Sequence, residues 1–212
     1  MVIAIDGPAG AGKSTVARGV AAALGFTYLD SGAMYRCVAL AALRAGANPD
    51  DAAAVAAVAR RIEIAFDGGR VTLDGEDVTE AIRAPEVSAA ASRVSVHPAV
   101  RAAMIERQRQ LIADGGYVAE GRDIGTVVSP DSPLKVFLSA SPQERARRRA
   151  AETGEPLDAV LAAQRERDAR DRGREHGALR AAEDAIELDT TDRGVDDVVA
   201  QIAGLARERG IA

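Results

Sequence analysis

The sequence predicts an α/β fold: a five-stranded parallel sheet flanked by helices, interrupted by a small antiparallel insert. Three observations lead there. Short apolar runs alternate along the chain with segments of helical periodicity, the pattern of a parallel sheet covered on both faces. The first run, residues 2–5, ends in Asp6 and a glycine-rich turn that opens directly onto a helix. Near the middle, residues 61–66 and 70–73 alternate in polarity around Asp67-Gly68-Gly69, which is a hairpin signature.

Each element carries its own signal. Lys13–Leu24 follows helical periodicity and meets Gly25, a residue suited to the left-handed position just past a helix end. Residues 26–29 read as a second strand, and Asp30 or Ser31 can cap a helix over about 33–45 that Gly46 closes. Alanines at 52–59 favour helix without any chemical message. After the hairpin, Asp74-Gly75-Glu76-Asp77-Val78 suggests another turn and a third short strand. Residues 85–113 are helical in pattern but broken at His97-Pro98, because proline lacks a donor and crowds the preceding turn. Residues 116–119 and 135–138 are the next core strands. Ser141-Pro142-Gln143-Glu144 aligns an N-cap serine, a first-turn proline and a glutamate at N3, and a charged helix is expected to fill 143–173. A fifth strand at 185–188 and a helix over 195–209 follow.

The chain has 212 residues, 47% hydrophobic and 28% charged, enough for a substantial core and unlike a disordered or fibrous composition. No apolar run reaches the ~18 residues of a membrane span, and residues 1–6 lack the basic stretch of a signal peptide. Cys37, the single cysteine, cannot form an internal disulfide, which fits a reducing cytoplasm; a buried helix position is its simplest role. A net charge of −5 argues against general nucleic-acid or membrane-surface binding. Within that average, only Lys13 and Lys135 of the 27 basic residues are lysine; the others are arginine, and several cluster. His97 and His176 lack metal-ligand spacing.

Gly7-Pro8-Ala9-Gly10-Ala11-Gly12-Lys13-Ser14 is a complete G-x-x-x-x-G-K-S, with Thr15 next, a strand before it and an amphipathic helix after it. The composition has a physical cause: backbone N–H groups must wrap a phosphate closely, and glycines leave room for that approach. The helix N-terminus adds partial positive charge, Lys13 reaches the outer phosphates, and the Ser14 hydroxyl ligates Mg²⁺. A plain glycine turn would not call for the lysine and hydroxyl at this spacing. Residues 7–15 are therefore the expected ATP cradle. Lys135 lies in Leu134-Lys135-Val136-Phe137, so no Asn-Lys-x-Asp element is present to read guanine. Motor and helicase ATPases are generally larger, which leaves a small kinase.

The arginines point the same way. Arg145, Arg148 and Arg149 lie at i, i+3 and i+4; Arg167, Arg170, Asp171 and Arg174 share a face if their helix persists. Arg122 follows a strand at the carboxyl end of the sheet, where open α/β folds bind ligands. A planar, permanently charged guanidinium suits a transferring phosphoryl group. Glu144, Glu152, Glu166 and Asp168 sit near these arginines, and over 143–152 a solvated face laced with such pairs fits as well as an anion-binding face. Over 165–174 the arginines are poorly compensated, which favours function. Asp30 is open to two readings, a helix cap or a general base for a hydroxyl acceptor, and the cap is the simpler. Two rivals accordingly stand beside a nucleotide kinase: a kinase of a small hydroxylated metabolite using Asp30, and a nucleotide-dependent regulator.

With the P-loop, the segments Leu29-Asp30-Ser31-Gly32-Ala33-Met34-Tyr35-Arg36, Glu120-Gly121-Arg122-Asp123-Ile124-Gly125-Thr126-Val127-Val128 and Arg167-Asp168-Ala169-Arg170-Asp171-Arg172 occur in order. Together they closely resemble the bacterial cytidylate kinases, P-loop nucleoside monophosphate (NMP) kinases, over essentially the whole chain. The resemblance implies a P-loop NMP-kinase fold with a core of about 1–60, 114–150 and 176–212, an NMP-binding insert of about 61–113 and an Arg-rich lid of about 151–175. It implies transfer of the γ-phosphoryl of ATP to CMP or dCMP, dependent on Mg²⁺, by a cytoplasmic monomer without nucleic-acid or membrane partners. It further implies that Ser31, Arg36 and Arg122 hold the CMP phosphate and sugar. Ser92, Arg101 and Asp123 would face the cytosine, with Tyr35 nearby. Arg148, Arg149 and Arg167 would close over the ATP phosphates, while Asp171 and Arg174 would contact the pentose and phosphate of CMP. The implied catalytic set is thus Lys13, Arg122, Arg148, Arg149, Arg167, Asp171 and Arg174. Glu120 stands where an aspartate is more usual, and keeps a carboxylate for a water-mediated Mg²⁺ role.

Overall fold

The structure, a computed structural model, describes residues 1–211 and contains two compact units. One comprises residues 1–30 together with the chain from Leu111 onward, and the other is Ser31–Gln110.

In the first unit, β1 (Val2–Asp6), β2 (Thr27–Asp30), β6 (Tyr117–Gly121), β7 (Leu134–Ser139) and β8 (Ile186–Asp189) form one sheet in the order β2-β6-β1-β7-β8. Every pairing in it is parallel, with Ile5 opposite Glu120 on one side and Val136 on the other. Ile3, Ile5, Val118, Leu134 and Leu138 are fully buried, sandwiched with Val16 and Val20 of α1 (Lys13–Leu24) and with Val198 and Ile202 of α8 (Val195–Glu208). Burial on both faces is why these strands read as unbroken apolar runs. The connection after β1 leads toward one sheet edge and those after β6 and β7 toward the other. Loops at the carboxyl end of β1 therefore part to opposite faces, leaving the crevice in which α/β sheets bind ligands.

The charged run at 143–173 is not one helix. It forms α6 (Pro142–Thr153) and α7 (Leu157–Arg172), which pack against each other. Gly154 takes the left-handed cap position and Pro156 cannot continue a helix, so the chain turns there. The expected cap at α6 is present: the Glu144 amide donates to Ser141 Oγ at 3.2 Å. Residues 124–128 form a π-turn that the sequence reading did not anticipate.

In the second unit, α2 (Ser31–Arg44) packs against α3 (Ala52–Arg61) and α4 (Pro85–Val94), and α5 (Pro98–Leu111) begins at the expected proline. Asp51 caps α3 by accepting from the Ala53 and Ala54 amides. The hairpin is β3 (Ile64–Asp67) with β4 (Arg70–Leu73), joined by the expected third strand, β5 (Glu76–Asp77). Cys37 is buried in α2, and His97 Nε2 lies 2.8 Å from the Pro49 carbonyl, a structural placement.

Candidate active site

The loop between β1 and α1 lies at the carboxyl end of the sheet because β1 is central and α1 starts immediately after the motif. Gly7 has φ of +152°, and a Cβ there would stand 2.1 Å from the Leu138 carbonyl oxygen, so no other residue fits. Lys13 is buried and its Nζ donates to the Pro8 carbonyl at 2.8 Å, folding the side chain back over the loop. Thr190, just past β8, braces the same loop from the other side. Its hydroxyl lies 3.2 Å from the Ala11 carbonyl and 3.0 Å from that of Ser139.

Around Lys13 the first unit concentrates charge. Burial, and then the guanidinium charges of Arg122 and Arg167, push the Lys13 ammonium below its ordinary value, against the pull of Glu120 and Asp6. Asp171 lies between two arginines: Arg122 Nε donates to one carboxylate oxygen at 3.0 Å and Arg174 Nη2 to the other at 2.5 Å. Burial alone would raise the Asp171 carboxyl, but Arg122, Arg174 and Arg167 together hold it below the usual carboxylate range. The result is a cluster of four cationic groups, Lys13, Arg122, Arg167 and Arg174, interleaved with the carboxylates of Asp171, Glu120 and Asp6, whose guanidinium and ammonium donors suit phosphate oxygens.

Glu120 ends up opposite Asp30 in the β2–β6 ladder, and both the Ser14 and Tyr28 hydroxyls donate to its carboxylate. Burial and the Asp30 charge raise the Glu120 carboxyl, with Lys13 and the two hydroxyl donors opposing. Among the described residues no group of three or more His, Cys, Asp or Glu is placed to hold a metal unaided. Two adjacent carboxylates and the Ser14 hydroxyl instead make an all-oxygen donor set. That fits Mg²⁺, which takes few protein ligands and completes its shell with water and substrate phosphates.

The two arginine stripes do not stay intact. Arg148 turns toward the loop: its Nη2 donates to the Thr190 carbonyl at 2.6 Å, and a Cβ on Gly12 would lie 3.7 Å from its Nη1. Arg149 instead pairs with Glu152 on the exposed side of α6. Arg145 points inward to Asp168. On the second stripe Arg170 pairs with exposed Glu166, whereas Arg167 faces Lys13 and Asp171. Arg174 lies past Gly173, outside the helix, and still reaches Asp171.

The other predicted nucleotide contacts divide by unit. Asp123 is buried in the first, close enough to Asp6 for their charges to repel. Ser31, Ser92 and Arg101 are buried in the second, and the Arg101 guanidinium sits over the Tyr35 ring, 5.9 Å from its centroid. Tyr35 and Arg36 follow Ser31 on α2, Ser92 is on α4 and Arg101 on α5.

Sequence reasoning missed three contributors. Asp6 accepts the Ile124 and Gly125 amides at 2.9 and 2.8 Å, anchoring the segment that carries Arg122 and Asp123. Thr190 and the pairing of Asp168 with Arg145 were also missed. A residue at the carboxyl end of a core strand was the available signal for Asp6 and Thr190; Asp168 was legible as a carboxylate among arginines, but nothing local marked Arg145 as its partner.

Comparison with known proteins agrees with this geometry. The chain is 48% identical to the cytidylate kinase of Geobacter sulfurreducens over 218 residues, covering 99% of this chain and 94% of that protein. It is 48% identical to that of Mycobacterium leprae over 215 residues, covering 99% and 96%. Among solved structures, an uncharacterized protein from Eubacterium ventriosum aligns with a TM-score of 0.56 at 15% identity, covering 98% of each chain, which shows a shared fold. A gluconokinase from Sinorhizobium meliloti aligns at 0.50 and 17% identity over 99% of this chain and 94% of that one. The family model for cytidylate kinase matches residues 3–208, and the chain belongs to the cytidylate kinase family.

Proposed function

We propose that the P-loop and the arginine–carboxylate cluster of the first unit carry out the reaction of this family. The chain is a (d)CMP kinase: it transfers the γ-phosphoryl of ATP to CMP or dCMP, giving ADP and CDP or dCDP. The observation that carries the assignment is the convergence of Arg122, Arg167 and Arg174 on Asp171, with Arg122 and Arg167 also facing Lys13 of a complete phosphate-binding loop.

Residues 7–15 hold the ATP phosphates, with Lys13 and Arg148 on their oxygens. Ser14 would hold Mg²⁺, with Glu120 and Asp30 ordering its waters, and the ion would supply charge neutralisation at the outer phosphates. Arg149, exposed in this structure, and Arg167 complete the phosphate contacts as lid residues within or beside 151–175. We assign CMP to two sets of residues. Arg122, Asp123, Asp171 and Arg174 belong to the first unit, and Ser31, Tyr35, Arg36, Ser92 and Arg101 to the second, whose hairpin lies in the 61–113 insert.

The chemistry asks little more of the protein. A monophosphate acceptor, with a second pKa of about 6, is already largely ionised near neutral pH, so no general base is needed. Catalysis is positioning together with stabilisation of the spreading negative charge by fixed cations. Water must be excluded, since it is the competing acceptor. No helix among the described residues is long and apolar enough to cross a membrane. A net charge of −5 supports a monomer without nucleic-acid partners, and the single buried thiol of Cys37 fits a reducing cytoplasm, where we place the enzyme.

Binding titrations of Asp123→Ala with CMP, UMP and ATP test the assignment. We expect the CMP preference over UMP to shrink while ATP affinity stays near the parent value. An unchanged CMP/UMP ratio would take cytosine recognition away from Asp123.

A further inference from the structure

Arg145, Gln164 and Asp168 belong to none of the nucleotide contacts assigned above, yet all three are buried; Arg145 and Gln164 lie against the P-loop, and Asp168 pairs with Arg145. All three nitrogens of the Arg145 guanidinium are engaged, in four contacts. Its Nη2 donates to Asp168 Oδ2 at 2.6 Å, and its Nη1 lies 3.3 Å from Asp168 Oδ1 and 3.0 Å from the Ala9 carbonyl. Its Nε donates to the Ala140 carbonyl at 3.2 Å, and Gln164 Nε2 donates to Arg145's own carbonyl at 3.1 Å. A Cβ on Gly10 would stand 3.0 Å from Arg145 Cβ and 3.2 Å from Gln164 Nε2, so the turn of the P-loop rests directly on this assembly. One guanidinium thus joins α6, α7 and the phosphate-binding loop.

Stability alone is a poor reason for such a pair. Desolvating both charges offsets much of their attraction, and apolar residues of similar volume would serve as well. An apolar pair could not, however, donate to Ala9. The Ala9–Gly10 peptide is planar and trans, so its carbonyl and the Gly10 N–H point in opposite directions. Holding the carbonyl against Arg145 therefore turns the Gly10 N–H the other way, as a donor for the nucleotide side of the loop.

We infer that Arg145 is a positioning residue for phosphoryl transfer. It orients the Ala9–Gly10 peptide of the P-loop, while Asp168 and Gln164 hold its guanidinium in place. The inference rests on the assignment of residues 7–15 to ATP. It also ties the loop's shape to the helices that carry Arg148 and Arg167.

The test compares the parent enzyme with Arg145→Met/Asp168→Leu, Arg145→Lys and Lys13→Ala, measuring thermal midpoint, kcat, and KM for ATP and for CMP. The double variant replaces the buried pair with apolar side chains and is expected to fold. Its KM for ATP should rise at least about tenfold, or its kcat fall by as much, while KM for CMP stays within about twofold. Arg145→Lys keeps a charge beside Asp168 but loses the fork, and should shift the ATP parameters in the same direction. Folded variants with parental ATP KM and kcat would overturn the inference, and if the double variant does not fold, Arg145→Lys decides alone. Lys13→Ala separates the two layers. An inactive Lys13→Ala beside a normal Arg145→Lys sinks only the positioning role, whereas a fully active Lys13→Ala sinks the nucleotide assignment and the inference with it.

Discussion

The second unit's ion pairs Arg44–Glu76 and Arg70–Asp67 lie at the surface, whereas the first unit adds buried pairs of the same residue types to exposed ones such as Arg149–Glu152. In the second unit, Arg44–Glu76 and Arg70–Asp67 leave their side chains 44% and 59%, and 65% and 81% exposed. In the first, Arg145–Asp168 is 4% and 7% exposed, and Arg174–Asp171 7% and 2%. Water and salt screen the former pairs, whose geometry costs side-chain entropy and returns little. The buried pairs are hardly screened, and their partners cannot be removed without stranding a charge. The lesson is that arginine content marks no site by itself; what matters is whether each guanidinium has been taken out of water, and against what.

That contrast yields predictions of decreasing size. Asp171→Asn should lower kcat/KM for CMP by about a hundredfold or more, because Arg122 and Arg174 lose the carboxylate that orients them. Steady-state kinetics with CMP varied checks this, and a loss below about threefold would remove Asp171 from the catalytic set. Asp168→Asn should lower stability by about 3–5 kcal/mol, read from denaturant unfolding, since it strands the buried Arg145 charge.

Asp6 should have an intermediate effect, visible as pH dependence. Burial pushes its carboxyl from 3.8 to about 6, with the Gly125 and Ile124 amides pulling it back and the Asp123 charge adding to the rise. Folding therefore takes up a proton between those values. The Asp6 contribution to stability is most favourable below 3.8 and is lost as pH rises through 6, at a cost of about 3 kcal/mol near neutrality. Unfolding midpoints between pH 4 and 8 should show this downward component in the parent enzyme and not in Asp6→Asn. Parallel pH profiles for the two would refute it. At the small end, Glu76→Gln should leave both the unfolding midpoint and turnover unchanged within scatter, because its partner Arg44 is solvated.

Much of this was legible in the sequence, for local reasons. Strands buried on both faces announce themselves as apolar runs, and the P-loop is defined by contiguous residues whose spacing has one physical purpose. The pieces that escaped depend on distant partners. The π-turn at 124–128 is held by Asp6, 118 positions away along the chain, so no window around it contains its cause. Arg145, Arg148 and Arg149 share a helical face by count, but Asp168, 23 residues on, draws the first inward while Glu152 keeps the third at the surface. The split between α6 and α7 was available locally in Gly154 and Pro156. It was obscured because charged helical sequence continues on both sides. Arg174 shows the reverse: the helical spacing that grouped it with Asp171 fails at Gly173, yet the contact forms.

The most direct test of the central claim is ADP release with MgATP and each of CMP, dCMP, UMP, AMP and GMP in turn, followed by coupling to NADH oxidation. The account predicts strong turnover with CMP and dCMP and little with AMP or GMP. Absence of turnover with every pyrimidine monophosphate would contradict it.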